Sequence, residues 1–285
     1  MTDTIDTATV AHRPDPDAWR AAGDAWGHRA ADWACLFEHY SFEVLTAMFP
    51  KVGAGSGVEL LDIACGAGMA VQHARAAGAT VSGIDAAAAL IEVARARNPG
   101  ADLRVGSMFE LPWENGSFDA AISVNGIWGG CEPALAEALR VLRPGGLLGI
   151  SFWGVGPPLD LRPCFKVLAG HAPNEHLTSM KRLNDIAFPG VAEEMLGHAG
   201  FDVLEQGRRV STIEWPDPDI AWRALASTGP AVPALRHGDP AAVRRDVLAA
   251  IEPCRDENGI YRFRNDHRFV IAQKPPALSE QANSV

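Results

Sequence analysis

One stretch constrains the fold of this chain more than any other. Val58-Glu59-Leu60-Leu61-Asp62-Ile63-Ala64-Cys65-Gly66-Ala67-Gly68 is an apolar run that reaches an acid and then turns through Gly-x-Gly. A helical pattern follows from Met69 to Ala77. A short buried strand feeding a glycine turn and a helix is how α/β proteins bring main chain close to a nucleotide-like ligand. Without a Cβ, glycine allows the sharp turn and lets a ligand lie against the backbone. Ala79-Thr80-Val81-Ser82-Gly83-Ile84-Asp85 then reads as a second strand ending in an acid. Asp85 follows the glycines by about twenty residues, where a nucleotide-binding unit places a carboxylate for ribose hydroxyls.

Two ligand classes compete for this pattern, a dinucleotide and S-adenosylmethionine. A dinucleotide fingerprint needs a third small residue three positions after the second glycine, to open the helix N-terminus to a pyrophosphate. Position 71 is Val. Asp62, just ahead of the turn, is poorly placed for a pyrophosphate but suits a cation. S-adenosylmethionine carries an ammonium and a sulfonium.

Further blocks carry a resemblance. Leu61 to Gly68 resembles motif I of class I S-adenosylmethionine-dependent methyltransferases, and Gly83-Ile84-Asp85 resembles the acidic end of their second strand. Leu111-Pro112-Trp113 with Gly116 to Ser123 resembles their fourth-strand segment, and Leu139 to Gly146 the turn before strand five. The blocks keep the family's order from Val58 to Trp153, and they look most like the ubiquinone and menaquinone C-methyltransferase group. The resemblance implies a Rossmann-like, seven-stranded, mostly parallel α/β sheet with helices on both faces and a helical cap. It implies S-adenosyl-L-methionine as cofactor and a small-molecule acceptor. Cofactor contacts are then expected from Asp62, Ala64, Gly66, Gly68, Asp85, Ala86, Ser107, Met108 and Asn125. One departure stands out: where this group carries Gly-Asp after strand three, the chain has Gly106-Ser107, so a hydroxyl replaces the carboxylate.

The domain reading follows from composition along the chain. Residues 1–15 are polar and threonine-rich and read as a disordered tail. Residues 16–50 read as an N-terminal helical cap of two helices, with Trp19, Ala22, Trp26, Ala30, Trp33 and Phe37 at helical spacing. Residues 51–275 form the main domain. Strands are expected near 58–63, 79–84, 102–105, 118–124 and 146–153, with helices between, which implies a parallel sheet. Phe201–Trp215 and Tyr261–Gln273 read as the last two strands, with a helical insertion at 216–252 that closes over the site together with the N-terminal cap. Residues 276–285 read as a loose tail.

Charge and cysteine usage exclude some functions. The net charge of -10 argues against nucleic acid, whose binding needs clustered cations. No apolar run is long enough for membrane insertion, and no signal-like start is visible. Five cysteines without a Cys-x-x-Cys pair suggest a reducing, cytoplasmic setting and no metal site.

Methyl transfer from a sulfonium needs alignment and exclusion of water, and a base only when the acceptor must lose a proton. Candidate bases are His39, Tyr40, Glu132, His171 and His176, each equally readable as a surface or structural residue. Trp128 and Trp153 fall at strand carboxyl ends and are candidates for an acceptor pocket, or for packing. The alternative functions are a nicotinamide-dependent oxidoreductase, or a protein that binds S-adenosylmethionine without methylating. The sequence leaves the acceptor atom and the oligomeric state open.

Overall fold

A computed structural model describes residues 18–174 and 184–277. Seven strands form one sheet in the order β3-β2-β1-β4-β5-β7-β6. They are β1 (Glu59–Ile63), β2 (Thr80–Asp85), β3 (Asp102–Val105), β4 (Phe118–Val124), β5 (Leu142–Trp153), β6 (Asp202–Trp215) and β7 (Tyr261–Gln273). The first five run parallel, and β7 is antiparallel to both β5 and β6. The order reverses between β1 and β4, and such a switch leaves a crevice at the carboxyl ends of the strands. β5 begins at Leu142, earlier than the expected position 146, because its first residue pairs with Phe118 across an irregular register.

Both faces of the sheet are covered. Leu60 of β1 joins a core with Val44, Leu45 and Met48 of α3 (Phe42–Met48), Val71 of α4 (Met69–Ala76) and Ile91 of α5 (Ala88–Arg97). Its neighbours Leu61 and Ile63 join the opposite core with Leu135 and Ala138 of α6 (Glu132–Val141). A strand buried on both faces must be apolar nearly throughout, which is why the run at 60–63 tolerates only one acid. α8 (Val191–His198) completes that second face through Ala192 and Leu196.

The N-terminal segment departs from the expected two helices. α1 (Ala18–Gly27) stops before Arg29, which leaves helical geometry with φ -136° and ψ 49°. The chain then runs through α2 (Ala30–Asp32), a π turn at Trp33–Phe37 and a 3-10 turn at Glu38–Ser41 before α3. The π turn keeps Trp33 stacked on Phe37, with ring centroids 5.2 Å apart. Single π turns inside helices frequently mark functional sites.

The segment between β6 and β7 forms three helices: α9 (Pro218–Ala226), α10 (Ala231–His237) and α11 (Pro240–Ile251). Asp217 caps α9 by accepting from the Ile220 amide at 2.8 Å, and Asp239 caps α11 the same way. Each cap is followed by proline, whose missing N–H and fixed φ suit the first helical position. These helices pack on α7 (Arg162–His171) and on the projecting ends of β6 and β7 around Trp215, Tyr261 and Phe263. Phe37 and Tyr40 of the N-terminal segment enter the same cluster. The expected tail at 1–15, and that at 276–285 beyond residue 277, lie outside the described residues.

Candidate active site

The carboxyl ends of β1, β2 and β4 open into a cavity of about 480 Å³. Its floor is the glycine turn. Gly66 has φ +54°, a conformation that L side chains rarely adopt, and its missing Cβ would point toward the Glu38 carboxyl 3.6 Å away. Two non-glycine residues also adopt left-handed backbone here, Ala64 with φ 60° and Asn125 with φ 57°. Both line the cavity, at the ends of β1 and β4. Such strain persists where the surrounding structure fixes it, and it clusters at ligand sites.

Three acids converge on this cavity. Asp62 is 1% exposed, and neither carboxylate oxygen has a hydrogen-bond partner. Burial, then the charges of Asp85 and Glu38, push its carboxyl well above the usual range. Asp85 accepts from the Gly66 and Ala87 amides, each at 2.8 Å, which ties the end of β2 to the glycine turn. Burial raises its carboxyl while those amides pull it back down. Glu38 pairs with Arg97 and accepts from the Met69 amide at 3.4 Å. Burial raises Glu38, and Arg97 opposes the rise. The Asn125 amide donates to Ser41 Oγ at 3.0 Å, leaving its own Oδ1 buried without a partner.

Of the expected contact residues, Asp62, Ala64, Gly66, Asp85, Ala86, Met108 and Asn125 line the cavity. Gly68 does not. Its Cβ direction points at Ala94 and Asn98, so it serves the close approach of α4 to α5. Ser107 also stands off the lining, and its hydroxyl accepts from the Phe109 amide at 3.1 Å in a local turn. Gly106, Met108 and Phe109 line the wall beside it.

Trp128 faces the cavity, whereas Trp153 packs among Tyr40, Phe165 and His267 and donates its indole N–H to Tyr40 Oη at 3.1 Å. Tyr40 lines the cavity, but burial pushes its phenol up to about 12, so it holds its proton at neutral pH. The other candidate bases are elsewhere. His39 and Glu132 are exposed and off the lining. His171 Nε2 meets Asp246 at 3.0 Å, bracing α7 against α11. His176 lies outside the described residues.

Glu38, Ser41 and Phe109 line the cavity without having been expected as contacts, and Gly229 and Pro230 reach it from the insertion expected to close over the site. Trp19, Trp26 and Trp33 of the N-terminal segment form its aromatic side. Gly229 and Pro230 bring the insertion between α9 and α10 to the same rim.

A family described as "Methyltransferase domain" matches residues 61–150, which span β1 through most of β5 and carry the glycine turn, Asp85 and Asn125. Residues 61–150 are thus similar to a methyltransferase domain, as the sequence motifs implied. A demethylmenaquinone methyltransferase from Renibacterium salmoninarum is 37% identical over 102 residues, 35% of this chain and 43% of that protein. The chain is thus matched over less than half of that relative's length. A malonyl-[acyl-carrier protein] O-methyltransferase from Serratia marcescens is 28% identical over 213 residues, 72% of this chain and 78% of that protein. Among solved structures, the YcgJ protein from Bacillus subtilis superposes with a TM-score of 0.56 at 15% identity, over 82% of this chain and 99% of that one. At that identity the likeness is one of fold.

The expected cofactor, S-adenosylmethionine, fits the lining of this cavity. The unpartnered oxygens of Asp62 and Asn125 are acceptors that a ligand bringing donors would satisfy, and the Gly66 turn presents bare main chain. Among the described residues no helix is long and apolar enough to cross a membrane.

Proposed function

We propose that this protein transfers a methyl group from S-adenosylmethionine to a small-molecule acceptor. The observation that carries the reading is Asp62: a buried carboxylate with no partner, beside a strained glycine turn, on the wall of a cavity. A buried charge persists only where a partner compensates it, and the ligand's ammonium is that partner. Asp85 is assigned to the ribose hydroxyls, which its remaining lone pairs can accept. Gly106 and Met108 are assigned to the adenine side, and Asn125 Oδ1 and Ala64 to the methionine side.

S-adenosylmethionine supplies an electrophilic methyl on a sulfonium that departs as a neutral thioether. The chain's own residues bind, orient and exclude water. Asp62 and Asp85 fix the two ends of the donor, and Trp26, Trp33 and Trp128 form apolar walls on which an acceptor can be aligned. Tyr40, with its proton retained, is a wall and a hydrogen-bonding group rather than a base. The two relatives' names, one for a quinone precursor and one for a carrier-bound malonyl group, support a small metabolite or its activated form as the acceptor class. The five free cysteines, three of them buried, fit a reducing compartment such as the cytoplasm.

The test is transfer itself. Protein incubated with methyl-tritiated S-adenosylmethionine and a bacterial small-molecule extract should yield a labelled product and stoichiometric S-adenosylhomocysteine. Tight cofactor binding without either product would contradict the methyl-transfer reading.

A further inference from the structure

Glu38 lies at the N-terminus of the helix that follows the glycine turn. Its Oε1 accepts from the Met69 amide, the first residue of the eight-residue α4. The same oxygen sits 3.6 Å from where a Cβ on Gly66 would be. Its other oxygen is held by Arg97, which also donates to the carbonyls of Ala34 at 2.7 Å and Ala67 at 3.2 Å. Arg97 closes α5, so one guanidinium ties the π turn, the glycine turn and α5 together around the Glu38 carboxyl.

A helix N-terminus with free amides attracts anions, and in dinucleotide sites it takes a pyrophosphate. Here the chain's own carboxylate already occupies that place. The unpartnered Asp62, buried to 1% exposure, faces the same cavity from the end of β1. The two acids make the turn a site for a cation instead of an anion. We infer that Glu38, oriented by Arg97, is a specificity-determining residue. It blocks anionic ligands from the α4 N-terminus and, with Asp62, receives the ammonium of the donor's amino-acid end. This rests on the cofactor assignment made above. Arg97 is the positioning residue, since its contacts in this region are to Glu38 and backbone carbonyls.

The experiment compares two probes that share adenosine and a thioether. S-adenosylhomocysteine carries the amino-acid end, and 5′-methylthioadenosine lacks it. Binding of both is measured by calorimetry to the full chain and to its Glu38→Gln and Glu38→Asp variants. Glu38→Gln should weaken S-adenosylhomocysteine by roughly 10- to 100-fold, the range for losing a hydrogen bond to a charged group. It should leave 5′-methylthioadenosine within about twofold, a difference of under 0.5 kcal/mol. Glu38→Asp, which keeps the charge, should recover part of the loss. Equal weakening of both probes, or no weakening of either, would overturn the assignment. Binding of neither probe to the unaltered protein would overturn the cofactor assignment, and this inference with it.

Discussion

Replacing Asp62 by Asn should move binding and stability in opposite directions. In the ligand-free protein the Asp62 carboxyl is buried, unpartnered, and raised by burial and by the charges of Asp85 and Glu38. A folded-state value above the unfolded one, near 3.8, means that the native state holds its proton more firmly. Stability is then undiminished below the unfolded value and falls as pH rises through the window above it. The amide removes that penalty. Each tenfold gain in the folded state's proton affinity is worth about 1.4 kcal/mol, and about 1 kcal/mol shifts the midpoint of a chain this size by roughly 2–4 °C. The ligand-free Asp62→Asn variant should therefore melt several degrees above the parent at pH 8, with the gap narrowing toward pH 5. Its affinity for S-adenosylhomocysteine should drop roughly 10- to 100-fold, because the ammonium loses a charged acceptor. Scanning calorimetry across pH and titration calorimetry read the two effects separately. A variant that melts lower at pH 8 and binds as tightly as the parent would refute both the charge argument and the ammonium assignment.

Other outcomes follow from the same geometry. Asp85→Ala removes the acceptor for the Gly66 and Ala87 amides as well as for the ribose, so binding of S-adenosylhomocysteine should weaken by about 1–3 kcal/mol by titration calorimetry. Gly66→Val forces a branched side chain into φ +54° and toward Glu38. It should abolish measurable binding while the far-ultraviolet circular dichroism spectrum stays that of the parent. His171→Ala breaks a brace between α7 and α11 that is not part of the cavity lining, so titration calorimetry should show an unchanged dissociation constant for S-adenosylhomocysteine. In the free protein, amides of α1 should exchange hydrogen faster than those of β1 and β4, and S-adenosylhomocysteine should slow α1.

The central fold was legible because its signals are local and periodic. The run at 58–63, the turn at 66–68 and the acid at Asp85 each sit where one strand–turn–helix unit requires them, and the structure brings Asp62, Gly66 and Asp85 to one cavity. The two glycines of the turn looked alike in sequence, yet one faces the cavity and the other faces α5. Only the path of α5 distinguishes them. Trp128 and Trp153 were equivalent for the same reason, until the partner strand β7 placed His267 against Trp153. Glu38 gave no signal at all. It precedes the turn in sequence, and it reaches the α4 N-terminus only because a π turn and a 3-10 turn redirect the chain after Asp32. Arg97, at the end of an amphipathic helix, reads as an ordinary exposed charge until its partner at position 38 is known.

The most direct test is a crystal structure with S-adenosylhomocysteine bound. The account predicts the ligand in the cavity at the carboxyl ends of β1, β2 and β4, its ammonium within hydrogen-bond distance of Asp62 and its ribose hydroxyls on Asp85. Ligand density away from these two carboxylates, or none at saturating concentration, would contradict it.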